Sequence, residues 1–196
     1  MVKQADLVFA LYRCGDRFDT EQKRRDFDYY EPITVRDSSL SASIQAIVAA
    51  EVGHLQLAYD YFRETALVDL HDLSGTTDEG LHIASLAGAW LVAVAGFGGL
   101  RDHGNTLEFA PRVHAPITKL RFRLLYRGRC LQVEVDPDGA RYELIAGDPL
   151  ELLHYGEPVT IEAGSPKAFS SPAAREQEPV EPPPGRAAGK RGIASD

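Results

Sequence analysis

With 196 residues, 44% of them apolar, the chain is long enough for a hydrophobic core and holds either one ordinary domain or a large fragment with an appendage. A formal net charge of −8 denies it the basic footprint that non-specific nucleic-acid binding or adsorption to an anionic membrane requires, so no nucleic-acid partner and no membrane partner is expected. Its two cysteines, Cys14 and Cys130, make no Cys-x-x-Cys pair and join no Cys/His cluster at metal-ligand spacing, which argues against a disulfide framework and a metal site and for a reduced, cytoplasmic setting.

The first residues, Met1 to Asp6, lack the charged and apolar regions of a signal peptide. From there to about Gly99 apolar residues recur at helical spacing, as in Leu7, Val8, Leu11 and later Leu55, Ala58, Tyr59, Phe62, Ala66, with stops at Gly15, Pro32 and Gly53. The spacing predicts five helices, near 4–13, 20–30, 39–52, 54–69 and 80–96. Asp19 followed by Gln22 has capping-box spacing at the second, and Gly53 predicts a tight αα-hairpin between the third and fourth. The fifth, with Leu81, Ile83, Leu86, Trp90, Leu91, Val92 and Val94, has almost no polar face and is expected to be buried on all sides. Its apolar run, Ala87 to Phe97, is too short and too glycine-flanked to cross a bilayer. Five helices of which one is central close poorly on themselves, so part of the surface that covers them is expected outside the chain.

After Gly98-Gly99 the pattern changes to short alternating runs such as Leu120-Arg121-Phe122-Arg123-Leu124 and Leu131-Gln132-Val133-Glu134-Val135. Arg127-Gly128 and Asp136-Pro137-Asp138-Gly139 read as hairpin turns, and Gly147-Asp148-Pro149 and Gly156-Glu157-Pro158 as strand breaks. One small antiparallel sheet with one wet face is expected from about 105 to 163. From Gly164 onward proline, alanine, glycine and charge dominate, and residues 164–196 are expected to form a disordered tail. The domain reading is therefore 1–99 helical, 100–163 β-sheet and 164–196 tail, an α+β chain.

Two segments put small polar groups at the start of an apolar helix: Tyr29 to Ser41, and Gly80-Leu81-His82. A helix start offers unpaired N–H groups and about half a positive charge, which suits an anion and phosphate above all. Ser38 and Ser39 can donate to such a ligand, or one of them can simply cap its own helix. His82, behind Gly80, can donate a charge-assisted hydrogen bond to phosphate or be a satisfied core histidine. Lys3-Gln4, by spacing alone, reads as an ordinary helix start.

Taken together, Lys3-Gln4-Ala5-Asp6, Tyr29-Tyr30-Glu31-Pro32, Asp37-Ser38-Ser39-Leu40-Ser41 and Gly80-Leu81-His82-Ile83-Ala84-Ser85 through Gly88-Ala89-Trp90 resemble glycoside hydrolase family 65, which includes maltose, trehalose and kojibiose phosphorylases. The resemblance covers roughly residues 2 to 163. It implies that residues 1–99 are the closing helices of an (α/α)6 barrel and that the sheet is its small C-terminal β domain. It assigns Lys3 and Gln4 to the donor sugar, and Ser38, Ser39, Gly80 and His82 to phosphate, the co-substrate; no cofactor is implied.

The reaction so implied is inverting phosphorolysis of an α-glucosidic disaccharide: a carboxylic acid protonates the glycosidic oxygen while phosphate, in the place of water, attacks the anomeric carbon from the opposite face. The family's general acid is a glutamate upstream of the Lys-Gln motif, so no catalytic residue is expected in this chain, which alone should be inactive and should need the missing half of the barrel, with a homodimer partner also conceivable. Glu31, Glu51, Asp37, Asp69, Asp72, Asp78 and Glu79 read as caps, loop charges or solvated helix faces. Two positions depart from the family pattern: Arg36 stands where histidine is common, and Thr76 to Glu79 lacks the Asn-Thr opening that often precedes Gly-Leu-His. Readings of a different class are a non-catalytic helical module that binds a partner protein through its apolar surface, or a sugar- or phosphate-binding remnant without turnover.

Overall fold

The computed structural model describes residues 2–35, 38–172, 177 and 180. Arg36 and Asp37, and all of the Pro179 to Pro184 stretch except Val180, lie outside the described residues. The chain divides into a helical unit built on residues 1–96 and a β unit on residues 97–175.

The helical unit comprises α1 (Asp6–Arg13), α2 (Thr20–Tyr30), α3 (Ser39–Val52), α4 (Leu55–Leu67) and α5 (Ile83–Leu91), the last running into a wider π-helical turn, Val92–Phe97. α1 starts at Asp6 rather than residue 4 because Val2 is tied to the segment after α2: its N–H donates to Ile33 O at 2.8 Å and its carbonyl accepts from Val35 N–H at 2.6 Å. Lys3 and Gln4 are thereby held in the bend before the helix. Asp19 Oδ1 accepts from Gln22 N–H at 2.7 Å and caps α2. Gly53, at φ +100°, ends α3 in the left-handed conformation and turns the chain straight into α4.

α3 is the centre of this unit. Ala46, Ile47, Val48, Ala49 and Ala50 are wholly buried, with Ala58 and Tyr61 of α4, Phe27 of α2 and Val8 and Leu11 of α1 around them. Two carboxylates expected as caps, loop charges or solvated faces belong to this packed region instead. Glu31, 1% exposed, accepts from Gln45 Nε2 at 2.7 Å and from the Tyr61 hydroxyl, and Glu51 pairs with the buried Lys23 ammonium at 2.6 Å. Each is tolerated because a donor on another helix meets it there; sequence spacing carries no trace of such a pairing.

α5 is not buried on all sides within the described chain. Ser85 and Gly88 are its fully buried residues, whereas Leu81, Ile83 and Trp90 are 61%, 65% and 52% exposed. The helix packs by its smallest residues. Ser85 Oγ donates to Ser39 O at 3.2 Å, a Cβ added at Gly88 would fall 2.7 Å from Ser43 Cβ, and one at Gly96 would fall 3.5 Å from Ile47 Cα. The three pairs advance in the same direction, so α5 and its continuation run parallel to α3. Among the described residues no helix is long and apolar enough to cross a membrane.

The β unit holds two four-stranded sheets rather than one: β1 (Leu100–Arg101), β2 (Leu107–Phe109), β6 (Leu150–His154) and β7 (Glu157–Ile161) in the order β1-β2-β6-β7, and β3 (Leu120–Tyr126), β4 (Arg129–Asp136), β5 (Gly139–Ala146) and β8 (Lys167–Ser170) in the order β3-β4-β5-β8. Nor is it wholly antiparallel, since β2 pairs with β6 in parallel. Alternation tells which side of a strand is dry but not what covers it, and here Phe109 and His154 of one sheet meet Tyr142 of the other at ring separations of 5.2 and 5.7 Å. Gly99, at φ +65°, leads into β1 where a Cβ would fall 2.1 Å from Ala110 O.

The predicted turns form. Arg127 and Gly128, both at positive φ, make the two-residue β3–β4 hairpin, and Asp136 Oδ1 accepts from the N–H groups of Asp138 and Gly139 at 3.0 Å in the next. Residues 167–170, expected in a disordered tail, form β8 on the free edge of β5. Phe169 anchors it, its ring 5.8 Å from Tyr142 and 5.1 Å from His154. Burial holds the pKa of His154 below its ordinary value, so the neutral ring is favoured, with Nδ1 2.7 Å from the Tyr142 hydroxyl.

Because no Cβ fits between α5 and Ser43, Gly88→Ala is expected to destabilise the helical unit by roughly 1–3 kcal/mol, and Ser43→Gly in the same chain to return much of that loss. Chemical denaturation of the two single variants and the double variant measures both effects.

Candidate functional site

The start of α3 is built as a cap. Ser38 has extended backbone, and its Oγ accepts from Leu40 N–H at 3.3 Å, so the capping alternative is realised at this residue. Capping uses only the oxygen as acceptor, and the hydroxyl hydrogen stays available to a second partner. Ser38 and Ser39, with Thr65, Ser74 and Ser85, line a hollow of about 20 Å³, onto which Glu64 also faces. That volume admits about one water, so a larger anion sits at its mouth or widens it.

Ser38 also lines a second, open cleft of about 320 Å³, together with Gln4, Asp6, Phe9, Ser41 and Leu91. The fold thus brings Gln4, from the bend before α1, and Ser38, at the start of α3, onto one depression of small-molecule size. Lys3 is exposed beside Gln4.

His82 is the N-cap residue of α5 and lines neither depression. Its link to the serines runs along α5 to Ser85, which lies on the Ser38/Ser39 hollow and donates to Ser39 O. The imidazole is held by Asp69, just beyond α4. Asp69 Oδ2 accepts from His82 N–H at 2.9 Å, and Asp69 Oδ1 lies 2.6 Å from His82 Nδ1. Nε2 lies 3.4 Å from Thr76 Oγ1, a weak contact. The α5 start is therefore not the fully open array of N–H donors its sequence suggested, because a carboxylate already satisfies the first of them. Gly80, exposed and at φ +135°, carries the chain from the short helical turn Thr77–Glu79 into this start.

Asp69, which in sequence reads as a cap, a loop charge or a solvated helix face, takes the capping role by accepting from the N–H of His82 at the head of the helix that follows; what sequence reasoning missed is its partner, because nothing in the spacing between Asp69 and His82 marks the two as a pair. The intervening loop is organised by a second carboxylate, Asp72. The Thr77 hydroxyl and N–H both donate to it and hold its pKa below the usual carboxylate range. Among the described residues, no group of three or more His, Cys, Asp or Glu side chains is arranged to hold a metal ion.

Residues 1–91 match the Glycosyl hydrolase family 65 central catalytic domain and residues 100–161 the Glycosyl hydrolase family 65, C-terminal domain. The chain belongs to glycoside hydrolase family 65. It is 47% identical over 196 residues to an uncharacterized glycosyl hydrolase of Mycobacterium leprae, an alignment that covers 99% of this chain and 24% of that protein. With the maltose phosphorylase of Bacillus subtilis it shares 43% identity over 161 residues, 82% of this chain and 21% of the relative. A solved human-microbiome protein assigned as a kojibiose phosphorylase superposes with a TM-score of 0.80 at 29% identity, over 86% of this chain and 23% of the other. The chain thus spans about a quarter of the length of these relatives.

If the Ser38 oxygen caps α3, Ser38→Ala costs about 1 kcal/mol, whereas Ser38→Gly, a tolerated cap, costs only a few tenths. Thermal unfolding of the two variants checks the difference, and it makes Ser38→Gly the variant that removes the hydroxyl from ligand binding with the fold kept.

Proposed function

We propose that this chain is the part of a family 65 disaccharide phosphorylase that binds phosphate and the donor sugar, its helices closing an (α/α)6 barrel followed by the small β domain. The observation that carries the reading is the parallel placement of α3 and α5, which sets two helix N-termini side by side with the hydroxyls of Ser38, Ser39 and Ser85 at their junction. The Ser85 hydroxyl is committed to the Ser39 carbonyl, so Ser38 and Ser39 are the hydroxyl donors at this junction, and two positive helix ends beside them attract an anion. Relatives named maltose, trehalose and kojibiose phosphorylase, 43%, 37% and 40% identical, support a disaccharide and inorganic phosphate as the substrates.

In this reading Lys3 and Gln4 hold the donor glucose, and Ser38, Ser39, the Gly80 backbone and His82 hold phosphate. A carboxylic acid protonates the glycosidic oxygen as its bond to the anomeric carbon breaks, and a phosphate oxygen bonds to that carbon from the opposite face, giving β-glucose 1-phosphate and the freed sugar. Several donors aimed at phosphate both bind it and fix the line of attack. The general acid comes from outside these residues. Glu31 is committed to Gln45 and Tyr61, Glu51 to Lys23, Asp69 to His82 and Asp72 to Thr77, and each of these bonds serves the structure. The chain alone then turns nothing over. The exposed Leu81, Ile83 and Trp90 are the surface on which the remaining barrel helices pack, and the free thiols of Cys14 and Cys130 suit a cytoplasmic enzyme.

A chimera tests the reading: the 161 residues of B. subtilis maltose phosphorylase that align with this chain are replaced by the chain's own. The chimera is expected to phosphorolyse maltose, with Ser39→Ala and His82→Ala each raising the KM for phosphate on the order of tenfold or more, the worth of a charged or charge-assisted hydrogen bond. A working chimera whose phosphate KM ignores both substitutions removes these residues from the site.

A further inference from the structure

Asp69 meets His82 with both carboxylate oxygens, one on the backbone N–H at 2.9 Å and one on ring Nδ1 at 2.6 Å. The two contacts divide the work. The first places the residue at the head of α5, and the second fixes the rotation of the imidazole and requires a proton on Nδ1, because an ionised carboxylate only accepts. The Asp69 side chain is 8% exposed against 23% for His82, so the anchoring end of the pair is covered and the ring is the more accessible end. Nε2, held among the described residues only by the 3.4 Å contact to Thr76 Oγ1, is the nitrogen left for a ligand.

We infer that Asp69 is a positioning residue for phosphate binding: by accepting a hydrogen bond from Nδ1–H it keeps His82 turned so that Nε2–H of the doubly protonated ring donates to the anion. The inference rests on the assignment of His82 to phosphate. It predicts that asparagine does not substitute. The carboxylate receives two donors, and an amide has one acceptor oxygen; an amide oxygen on the backbone N–H turns its NH₂ toward Nδ1 and drives the ring proton to Nε2. The ring can then still donate Nε2–H but no longer carries the positive charge that strengthens the bond, while the shape of the site is kept.

The test is ¹⁵N NMR of histidine-labelled chain, with inorganic phosphate as the probe. In phosphate-free wild type, His82 is expected to carry its proton on Nδ1, and added phosphate to protonate and shift Nε2. Asp69→Asn is expected to move the proton to Nε2 and to weaken the phosphate response about tenfold, with the fold retained. A neutral wild-type ring protonated on Nε2, or one whose tautomer ignores Asp69→Asn, overturns the inference without any variant having to bind phosphate. A phosphate response that vanishes in His82→Ala yet is unchanged in Asp69→Asn overturns it while leaving His82 in the phosphate site. If His82 in the wild type does not respond to phosphate at all, the phosphate assignment falls and the inference with it.

Discussion

The contact of Gly88 with Ser43 is the constraint on which the helical unit turns. Without a side chain at residue 88, α5 comes close enough to α3 for the Ser85 hydroxyl to reach the Ser39 carbonyl, and the two helix starts are thereby brought together. Parallel helices in contact bring like dipole ends together, an arrangement that needs negative charge or hydrogen-bond acceptors at the shared end. The chain supplies an acceptor at each start: the Ser38 hydroxyl oxygen on Leu40 N–H and the Asp69 carboxylate on His82 N–H. A bound anion completes the same electrostatic pattern in the proposed site.

Around this junction the ionisable groups are held by the structure rather than left free. Glu31 and Glu51 each receive a donor from another helix, so α2, α3 and α4 are tied together by polar bonds as well as apolar packing. Breaking one such pair leaves a desolvated charge, which costs more than forming the pair gains. The rigidity so obtained suits a site whose donors sit on separate helices and must meet one small ligand.

Much of the helical unit was legible in the sequence because its signals are local. Asp19 before Gln22 and Gly53 at φ +100° end or begin helices through contacts a few residues long, and the apolar spacing of α3 and α4 follows the helical period. What escaped was set by partners distant in sequence. The apolar residues of α5 look buried from spacing, and the expectation that part of their cover lies outside the chain comes from the count of helices, but spacing does not say which of them stay exposed, as Leu81, Ile83 and Trp90 do. Alternation in β2 and β6 does not encode their parallel pairing, and Phe169 draws β8 into a sheet through rings of Tyr142 and His154 that no local pattern connects to it. The site divides in the same way. Ser38 and Ser39 announce themselves as a helix start, and family likeness marks Lys3, Gln4 and His82, whereas Asp69 gains its meaning only from the fold that folds it back on His82.

The central claim is that the starts of α3 and α5 hold one phosphate between them. A crystal structure of the complete enzyme grown with inorganic phosphate and the donor sugar tests it most directly. The expected result is a single phosphate within hydrogen-bond distance of the Ser39 hydroxyl and His82 Nε2, with Asp69 still on Nδ1 and the sugar against Gln4. A phosphate bound elsewhere in the barrel, with Ser39 and His82 facing separate surroundings, contradicts it.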